Sequence, residues 1–295
     1  MSFEMGTLDL EIFPKGSLES RRLVVNPLLL SERGPMVSCL MVTRGNVDFI
    51  RTAIECFSQQ TYNNKELVVV HDSSTLEPER TFGSIEGVRF IRIYDKFPLG
   101  ILRNISVAYS RGEIICQWDD DDLYDQDRIS VGVAALMGSN AAAVFLRRWL
   151  VWWPSRKLLT VSEERLWEGS MLAWRSCLPA YSAVAKGEDS LVVDAIWRHQ
   201  NICVLDWPSL YCYTITGQNT FGTDHFEMVI DRSTRIFAGA EYEWMINSLS
   251  SRLPFSARLR DFGTGPIVTE SSESGKSRAT YIERLRSISD FFGRQ

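Results

Sequence analysis

The chain has 295 residues, of which 45% are hydrophobic and 23% charged, so it is long enough to bury a substantial core. Its 32 basic and 37 acidic residues give a formal net charge of -5, which lacks the basic surface typical of nucleic-acid-binding proteins. We therefore expect a globular protein without a nucleic-acid partner.

Two apolar stretches are candidates for a membrane or export signal, and neither fits. The run within "RRLVVNPLLLSERG" is short and is broken by Asn26 and Pro27, unlike a signal peptide. Residues 141–153 include Arg147 and Arg148 and are too few to cross a bilayer as a helix. Together with six singly placed cysteines, which suggest reduced thiols, these features predict a cytoplasmic protein.

From residue 35 to about residue 137, strand-like and helix-like patterns alternate along the chain. The helical patterns are "FIRTAIECF" and "ILRNISVAYS", and the strand patterns are "MVSCLMV", "ELVVV", "VRFIRIY" and "EIICQW". This alternation predicts an α/β fold in which a mostly parallel central sheet is flanked by helices, with a Rossmann-like nucleotide-binding half.

The ends of the chain differ from this region. Residues 1–34 show no clear periodicity and are predicted to be an N-terminal extension. The stretch "GTGPIVTESSESGKS" is typical of a flexible linker, and "ATYIERLRSISDFF" after it sets Ile282, Leu285 and Phe292 on one helical face. Residues 263–295 are therefore predicted to be a linker and a C-terminal helical extension that docks on its own domain or forms a homodimer.

Acidic residues follow two of the predicted strands. Asp119, Asp120, Asp121 and Asp122 come after "EIICQW", and Asp72 comes after "ELVVV". Ligands of such sheets bind at the carboxyl ends of the strands, so both loops are expected to face one crevice. Clustered carboxylates repel one another unless a cation or solvent relieves the repulsion, and hard oxygen ligands favour Mg²⁺ or Mn²⁺.

The aspartate run has two other interpretations. A calcium loop of the EF-hand type that started at Asp119 would need an oxygen ligand, a glycine and a glutamate where Leu123, Tyr124 and Ser130 stand, which excludes it. A solvated acidic turn remains an alternative, although the apolar strand before the run argues against it.

Three segments in order carry a resemblance to a known family: "VSCLMVTRGNVDFIRTAI", "QTYNNKELVVVHDSS" and "LRNISVAYSRGEIICQWDDDDLYDQDRI". Over residues 36–129 the chain resembles the nucleotide-sugar-binding half of a family 2 glycosyltransferase of the GT-A fold. The resemblance implies a domain at 35–262, with a nucleotide-sugar-binding half at 35–137 and an acceptor half at 138–262.

The resemblance also implies the donor site, with a UDP-sugar as donor and Mn²⁺ or Mg²⁺ as cofactor. The expected donor-binding residues are Thr43, Arg44, Asn46, Asp72, Arg103, Asp119 and Asp120. The expected metal ligands are Asp119 and Asp121, which match the Asp-x-Asp motif, with Asp122 and with His225 from "TGQNTFGTDHF". The chain departs from the family in its first loop, Val42 to Gly45, and at His71, where an acid is common.

The catalytic base is expected further along the chain, in "AKGEDSLVVDAIWRH". Taken alone, Glu188 and Asp189 are typical of first-turn charge at the start of a helix. The resemblance favours Asp189 as the base, with Glu188 as a second candidate or an acceptor contact. Trp167 and Trp174 are candidates for stacking on a sugar, or for core packing.

These expectations describe a metal-dependent, inverting transfer of a sugar to a hydroxyl acceptor, such as a glycan or glycolipid of the cell surface. A nucleotidyltransferase is an alternative, but it would need a Gly-rich basic loop that "VTRGN" hardly supplies. A non-catalytic nucleotide-sugar-binding module is the second alternative. The basic residues Arg258, Arg260, Arg284 and Arg286 are compatible with peripheral contact at the inner face of a membrane, or with a solvated surface.

Overall fold

The computed structural model describes residues 8–25, 34–184 and 186–261. The predicted linker and C-terminal helix at 263–295 lie outside these residues, as do Arg284 and Arg286.

The core of the domain is a nine-stranded mixed sheet with the order β2-β1-β12-β8-β11-β6-β3-β4-β5. Four neighbouring strands, β6, β3, β4 and β5, run parallel, as the sequence predicts for the nucleotide-binding half. Strand β11 runs antiparallel to both of its neighbours and separates this half from the rest. The strands are β1 (Leu8–Phe13), β2 (Arg21–Val25), β3 (Val37–Thr43), β4 (Lys65–His71), β5 (Val88–Arg92), β6 (Ile114–Gln117), β8 (Ala143–Leu146), β11 (Leu172–Trp174) and β12 (Ile202–Leu205).

The N-terminal residues contribute a hairpin to this sheet. Strand β1 pairs antiparallel with β2 and with β12, where Leu10 lies opposite Leu205. Leu8, Leu10 and Ile12 are buried, and they alternate with Asp9 and Glu11, the period of a strand with one apolar face. Because this alternation is only six residues long, it is too short to predict a strand in the N-terminal extension.

A second, five-stranded sheet has the order β14-β10-β9-β13-β7. Strand β7 follows the aspartate run directly and pairs antiparallel with β13, so that Tyr124 lies opposite Tyr211. The aspartates therefore lie at the junction of the two sheets. The strands are β7 (Leu123–Tyr124), β9 (Leu150–Trp153), β10 (Leu158–Val161), β13 (Tyr211–Thr214) and β14 (Arg235–Phe237).

The longer helices pack on the sheets through apolar faces. In the first of them the side chain of Asn46 caps the N-terminus, since its Oδ1 accepts a hydrogen bond from the Phe49 N–H at 3.3 Å. The predicted apolar face of that helix is buried, including Ile50 and Phe57. The helices are α1 (Val47–Ser58), α2 (Pro78–Phe82), α3 (Leu99–Tyr109), α4 (Arg128–Ser139), α5 (Glu188–His199), α6 (Thr223–Asp231), α7 (Gly239–Leu249) and α8 (Phe255–Asp261).

Candidate active site

Aromatic side chains fix the backbone of the aspartate loop between β6 and β7. Trp118 is fully buried, and its indole N–H donates to the carbonyl of Ala53 at 3.2 Å. The Tyr124 hydroxyl accepts from the Asp119 N–H at 2.6 Å and donates to the Asp119 carbonyl at 3.0 Å. The first aspartate is thus held by a tyrosine five residues later.

The end of β3 meets this loop, as expected for parallel neighbours. The Thr43 hydroxyl donates a hydrogen bond to Asp120 Oδ2, and the Gly45 N–H donates to the Thr43 hydroxyl at 3.0 Å. Thr43 and Asp120 are therefore in direct contact. Arg44 next to them is exposed, and Asn46 is engaged as the cap of α1.

Burial and mutual repulsion oppose the ionisation of all the carboxyl groups in the aspartate loop. Burial, followed by the charge of Asp119, raises the pKa of Asp122 to about 7. Burial also raises the pKa of Asp120 to about 6, and it raises that of Asp121 well above its ordinary value with help from Asp122. A cation at this loop would favour the ionised carboxylates.

The individual aspartates face different neighbours. Asp122 is fully buried, and both of its oxygens accept hydrogen bonds from β13, Oδ2 from the Tyr211 hydroxyl and Oδ1 from the Thr214 N–H at 2.8 Å. Asp121 Oδ2 accepts from the Asn219 side-chain amide at 2.9 Å. Asp122 thus ties the end of the aspartate loop to β13, whereas Asp121 keeps one oxygen available within the described part of the chain.

His225 lies on α6, where its neighbours are aromatic and basic side chains and not the aspartates. Its ring stacks on Phe221 with centroids 4.5 Å apart, and its pKa is lowered by burial and then by the charges of Arg165 and Arg232. Among residues 8–25, 34–184 and 186–261, no three His, Cys, Asp or Glu side chains come together as a metal-holding group. The structure therefore does not assemble the predicted set of Asp119, Asp121, Asp122 and His225.

Arg103 joins the aspartate loop to the second acidic segment. Its Nε donates to Glu188 Oε1 at 2.7 Å, and both terminal nitrogens lie 3.4 Å from Asp119 Oδ1. The Gln117 side-chain amide donates to the same Asp119 oxygen at 2.9 Å. Although burial opposes its charge, Asp119 and the other nearby acids raise the pKa of Arg103, so it stays cationic. Glu188 is buried by this ion pair.

Asp189, in the first turn of α5, is half-buried beside this pair. Its Oδ1 accepts a hydrogen bond from the Ser190 N–H at 2.9 Å. Burial and then the neighbouring Glu168 raise the pKa of Asp189 to about 7, against the opposing effect of Arg103. A carboxylate that exchanges its proton near neutral pH suits a general base.

Helix α3 also positions the segment before Asp189. The Asn104 side chain forms two hydrogen bonds with the backbone of Tyr181, donating to its carbonyl at 2.8 Å and accepting from its N–H at 2.9 Å. The Gly100 N–H donates to the Val184 carbonyl at 3.3 Å. The adjacent residues Arg103 and Asn104 therefore hold both the acidic pair and the chain leading to it.

Gly100 allows this close approach, and we expect Gly100→Ala to destabilise the protein. A Cβ at this position would lie 1.8 Å from the Ser182 carbonyl oxygen, so a backbone must move. We expect a loss of about 1–3 kcal/mol in the free energy of unfolding, measured in urea. Gly222→Ala is the control, since no atom lies within 4 Å of its Cβ. Equal stability of the two variants would contradict the close approach.

The expected nucleoside side of the site lies at the ends of β4 and β5. Asp72 Oδ1 forms an ion pair with Lys96 at 3.1 Å. His71 is fully buried at the end of β4. Burial, and then the charge of Arg92, lowers the pKa of His71. A neutral imidazole therefore stands where the family commonly has an acid.

Arg258 is a site residue whose buried position the local sequence does not predict. The sequence predicts it on a basic surface, at a membrane or in solvent, but it is fully buried, and its Nη2 donates to the carbonyls of Asp120 and Asp122 at 2.8 and 3.3 Å. Its guanidinium also lies 4.7 Å from the centre of the Phe49 ring. No local pattern distinguishes it from the exposed Arg260, because the contact spans 138 residues of sequence.

The two tryptophan candidates differ in burial. Trp167 is buried and stacks on Trp149 with ring centroids 4.3 Å apart, so it packs in the core. Trp174 is half-buried against the same core. The geometry favours the packing alternative for Trp167.

The structure thus combines an α/β fold with an acidic loop at the carboxyl ends of parallel strands, and Arg103 joins this loop to a second acidic pair. Residues 38–168, a little under half of the chain, match the family model for glycosyl transferase family 2.

Curated relatives match the same part of the chain. The chain is 32% identical over 97 residues to EpsH of Bacillus subtilis (strain 168), named as a glycosyltransferase, with 32% of this chain and 28% of EpsH covered. It is 28% identical over 107 residues to WcaA of Escherichia coli (strain K12), named as a colanic acid biosynthesis glycosyl transferase, with 35% and 38% covered. The chain thus spans well under half the length of these relatives.

Solved structures share a distant likeness. A mannosyltransferase from Pyrobaculum calidifontis, in complex with GDP-Man and Mn²⁺, aligns with a TM-score of 0.48 and 15% identity, covering 70% of this chain and 62% of that one. S. aureus TarS 1-349 in complex with UDP also aligns with a TM-score of 0.48 and 15% identity, covering 62% of this chain and 61% of that one. In the described residues, no helix has the length and apolar character needed to span a membrane.

Proposed function

We propose that the protein is a metal-dependent glycosyltransferase that moves a sugar from a nucleoside-diphosphate donor to a hydroxyl acceptor with inversion. The observation that carries the proposal is the Arg103 bridge, which brings Asp119 of the aspartate loop and Glu188, the neighbour of Asp189, to one guanidinium. The diphosphate of the donor, near Asp119, would then lie next to Asp189, the acceptor of the proton.

Asp119 and Asp121 are the residues we assign to a divalent cation. Neither Asp119 Oδ2 nor Asp121 Oδ1 accepts a hydrogen bond within the described residues, so each carboxylate keeps a hard oxygen ligand. Two carboxylates fit Mg²⁺ or Mn²⁺, which commonly complete their shell with water and phosphate oxygens. When bound, the cation would neutralise charge on the leaving diphosphate.

The chain's own residues supply the remaining chemistry. Arg103 stays cationic and stabilises negative charge near Asp119. Asp189 takes the proton of the acceptor hydroxyl while that oxygen bonds to the anomeric carbon. The bond from this carbon to the diphosphate breaks, and its electron pair leaves with the nucleoside diphosphate. A single displacement inverts the anomeric configuration. Glu188 is buried against Arg103, and we assign it to positioning that arginine.

The donor we propose is a UDP-sugar, with Thr43, Asp72 and Asp120 on the nucleotide side. Asp72 is half-buried after β4 and is a suitable acceptor for an imide N–H of uracil. For the pathway we propose cell-surface glycan synthesis, since WcaA is named for colanic acid biosynthesis. Work on a cell-surface acceptor fits a cytoplasmic location, with peripheral contact at the inner face of the membrane.

Calorimetric titration of UDP into the protein, with Mn²⁺ and then with a chelator, tests the donor site. We expect binding that requires the metal and that weakens about tenfold or more in Asp121→Asn, equivalent to ~1.4 kcal/mol or more. Asp231→Asn is the control, an exposed aspartate on α6.

Absence of UDP binding to the folded protein under every condition would contradict the proposed donor. Tight binding of a nucleoside triphosphate instead would favour a nucleotidyltransferase. Binding of UDP-sugars without turnover, in water or with acceptors, would indicate a non-catalytic binding module.

A further inference from the structure

Phe221 is an exposed aromatic residue held in a defined position. Its side chain is 47% exposed, and one neighbour, the His225 ring, stacks on it with centroids 4.5 Å apart and an interplanar angle of 25°. His225 in turn packs edge-on against the buried Phe226. The exposed ring thus rests on a layer of side chains that is anchored in the core.

The segment that carries Phe221 is tied to the aspartate loop. Two residues before it, the Asn219 side-chain amide donates to Asp121 Oδ2 at 2.9 Å and to the Thr214 carbonyl at 3.0 Å. Asn219 Oδ1 also accepts from the Thr216 N–H at 2.7 Å, which closes the turn. Phe221 therefore lies at a short chain distance from the residue that we assign to the metal.

The same segment is tied to the segment that carries the base. The Lys186 ammonium donates to the Thr220 carbonyl at 3.0 Å and lies 5.6 Å from the centre of the Phe221 ring. Lys186 is three residues before Asp189. Phe221 is thus positioned from two sides, by the metal loop through Asn219 and by the base segment through Lys186.

We propose that Phe221 is the stacking platform for a sugar ring of the acceptor, so that the acceptor is a carbohydrate and not a simple lipid alcohol. The C–H face of a pyranose is apolar and its rim carries hydroxyls, which matches an exposed aromatic ring bordered by an ammonium donor. The inference rests on the proposed function, since it places the acceptor hydroxyl toward Asp189.

The fixed position of an exposed Phe221 is explained better by a ligand than by the stability of the free protein. A solvent-exposed phenylalanine gains little from burial in the free protein, yet this one is fixed by a stack, an ammonium and a hydrogen-bonded turn. Rigid presentation lowers the entropy lost when a ligand binds.

Binding of methyl glycosides, followed by saturation-transfer NMR, tests the platform without any need for turnover. The probes are the methyl β-glycosides of glucose, galactose and N-acetylglucosamine, added to the protein with UDP and Mn²⁺ and to the protein alone. We expect signals from the C–H face of at least one probe, reduced about three- to tenfold in Phe221→Ala and retained in Phe221→Trp. Trp244→Ala is the matched control, an aromatic residue on α7 that is 66% exposed.

The outcomes separate this proposal from the proposed function. No signal with any probe, or equal signals for wild type and Phe221→Ala, overturns the platform. Loss of UDP binding in the same samples would overturn the donor site instead, and the probes on the protein alone still test Phe221. Where a UDP-sugar is turned over, Phe221→Ala should raise the acceptor KM by a larger factor than it lowers kcat, and Trp244→Ala should change neither.

Discussion

Replacing Asp189 with asparagine is expected to lower sugar transfer by about 10²- to 10⁴-fold, the range for loss of a general base. Asparagine keeps the size of the side chain and can still accept from the Ser190 N–H, so the helix start should be preserved. What is lost is the group that takes the proton of the acceptor hydroxyl. The measurement is the initial rate of transfer from the donor that the UDP titration supports.

The pH dependence follows from the pKa of Asp189, which burial raises to about 7. The base works only when ionised, so kcat/KM should fall as the pH drops through about 7. Stability has the opposite sign, because the folded state binds the proton more tightly than the unfolded state, whose pKa is about 3.9. Stability therefore declines as the pH rises from about 4 to about 7, and Asp189→Asn should equal or exceed wild type in Tm at pH 8.

Asp194→Asn provides the control for this variant. Asp194 lies on the same helix and pairs with Arg198 at 2.8 Å near the surface, so its loss should leave transfer unchanged. Full activity in a folded Asp189→Asn protein would contradict the assignment of the base. In that case Glu188 would be examined next, although its ion pair with Arg103 buries it.

The sequence predicted the parts of the fold that depend on local pattern. Strands β3, β4 and β6 are continuous apolar runs, and each is bounded by polar residues, so both their type and their approximate ends could be predicted. Helix α5 begins at Glu188, where the acidic pair and the apolar spacing indicated a start. The second sheet was not predicted, because its strands have only two to four residues.

The roles of individual aspartates could not be predicted from the run itself. Asp121 and Asp122 are adjacent and identical in type, yet Asp122 is bound to β13 by partners 89 and 92 residues away. The difference arises from the direction of each side chain at the junction of two sheets. The contact of Arg103 with Glu188, 85 residues apart, has the same origin.

Replacing Arg258 with methionine is expected to weaken metal-dependent UDP binding by tenfold or more and to destabilise the protein. Arg258 donates to the carbonyls of Asp120 and Asp122, and its charge lowers the pKa of Asp120, Asp121 and Asp122 against the effect of burial. Methionine fills similar space without the charge or the donors. The carbonyls would then lose buried hydrogen bonds, at a cost of about 1–3 kcal/mol each.

Loss of the Arg258 charge should change the pH dependence of Mn²⁺ binding, which a loss of packing alone would not change. Without Arg258 the three aspartates hold their protons to higher pH. The pH at which Mn²⁺ binding is half-maximal, measured by calorimetry over a series of pH values, should therefore increase. Arg258→Lys keeps the charge, and its midpoint should stay near wild type even where stability falls. Arg260→Met, on the exposed side of α8, is the control for a lost arginine in the same helix. An unchanged midpoint in folded Arg258→Met would mean that Arg258 supports the loop only by packing, and that the aspartates themselves set the affinity for the cation.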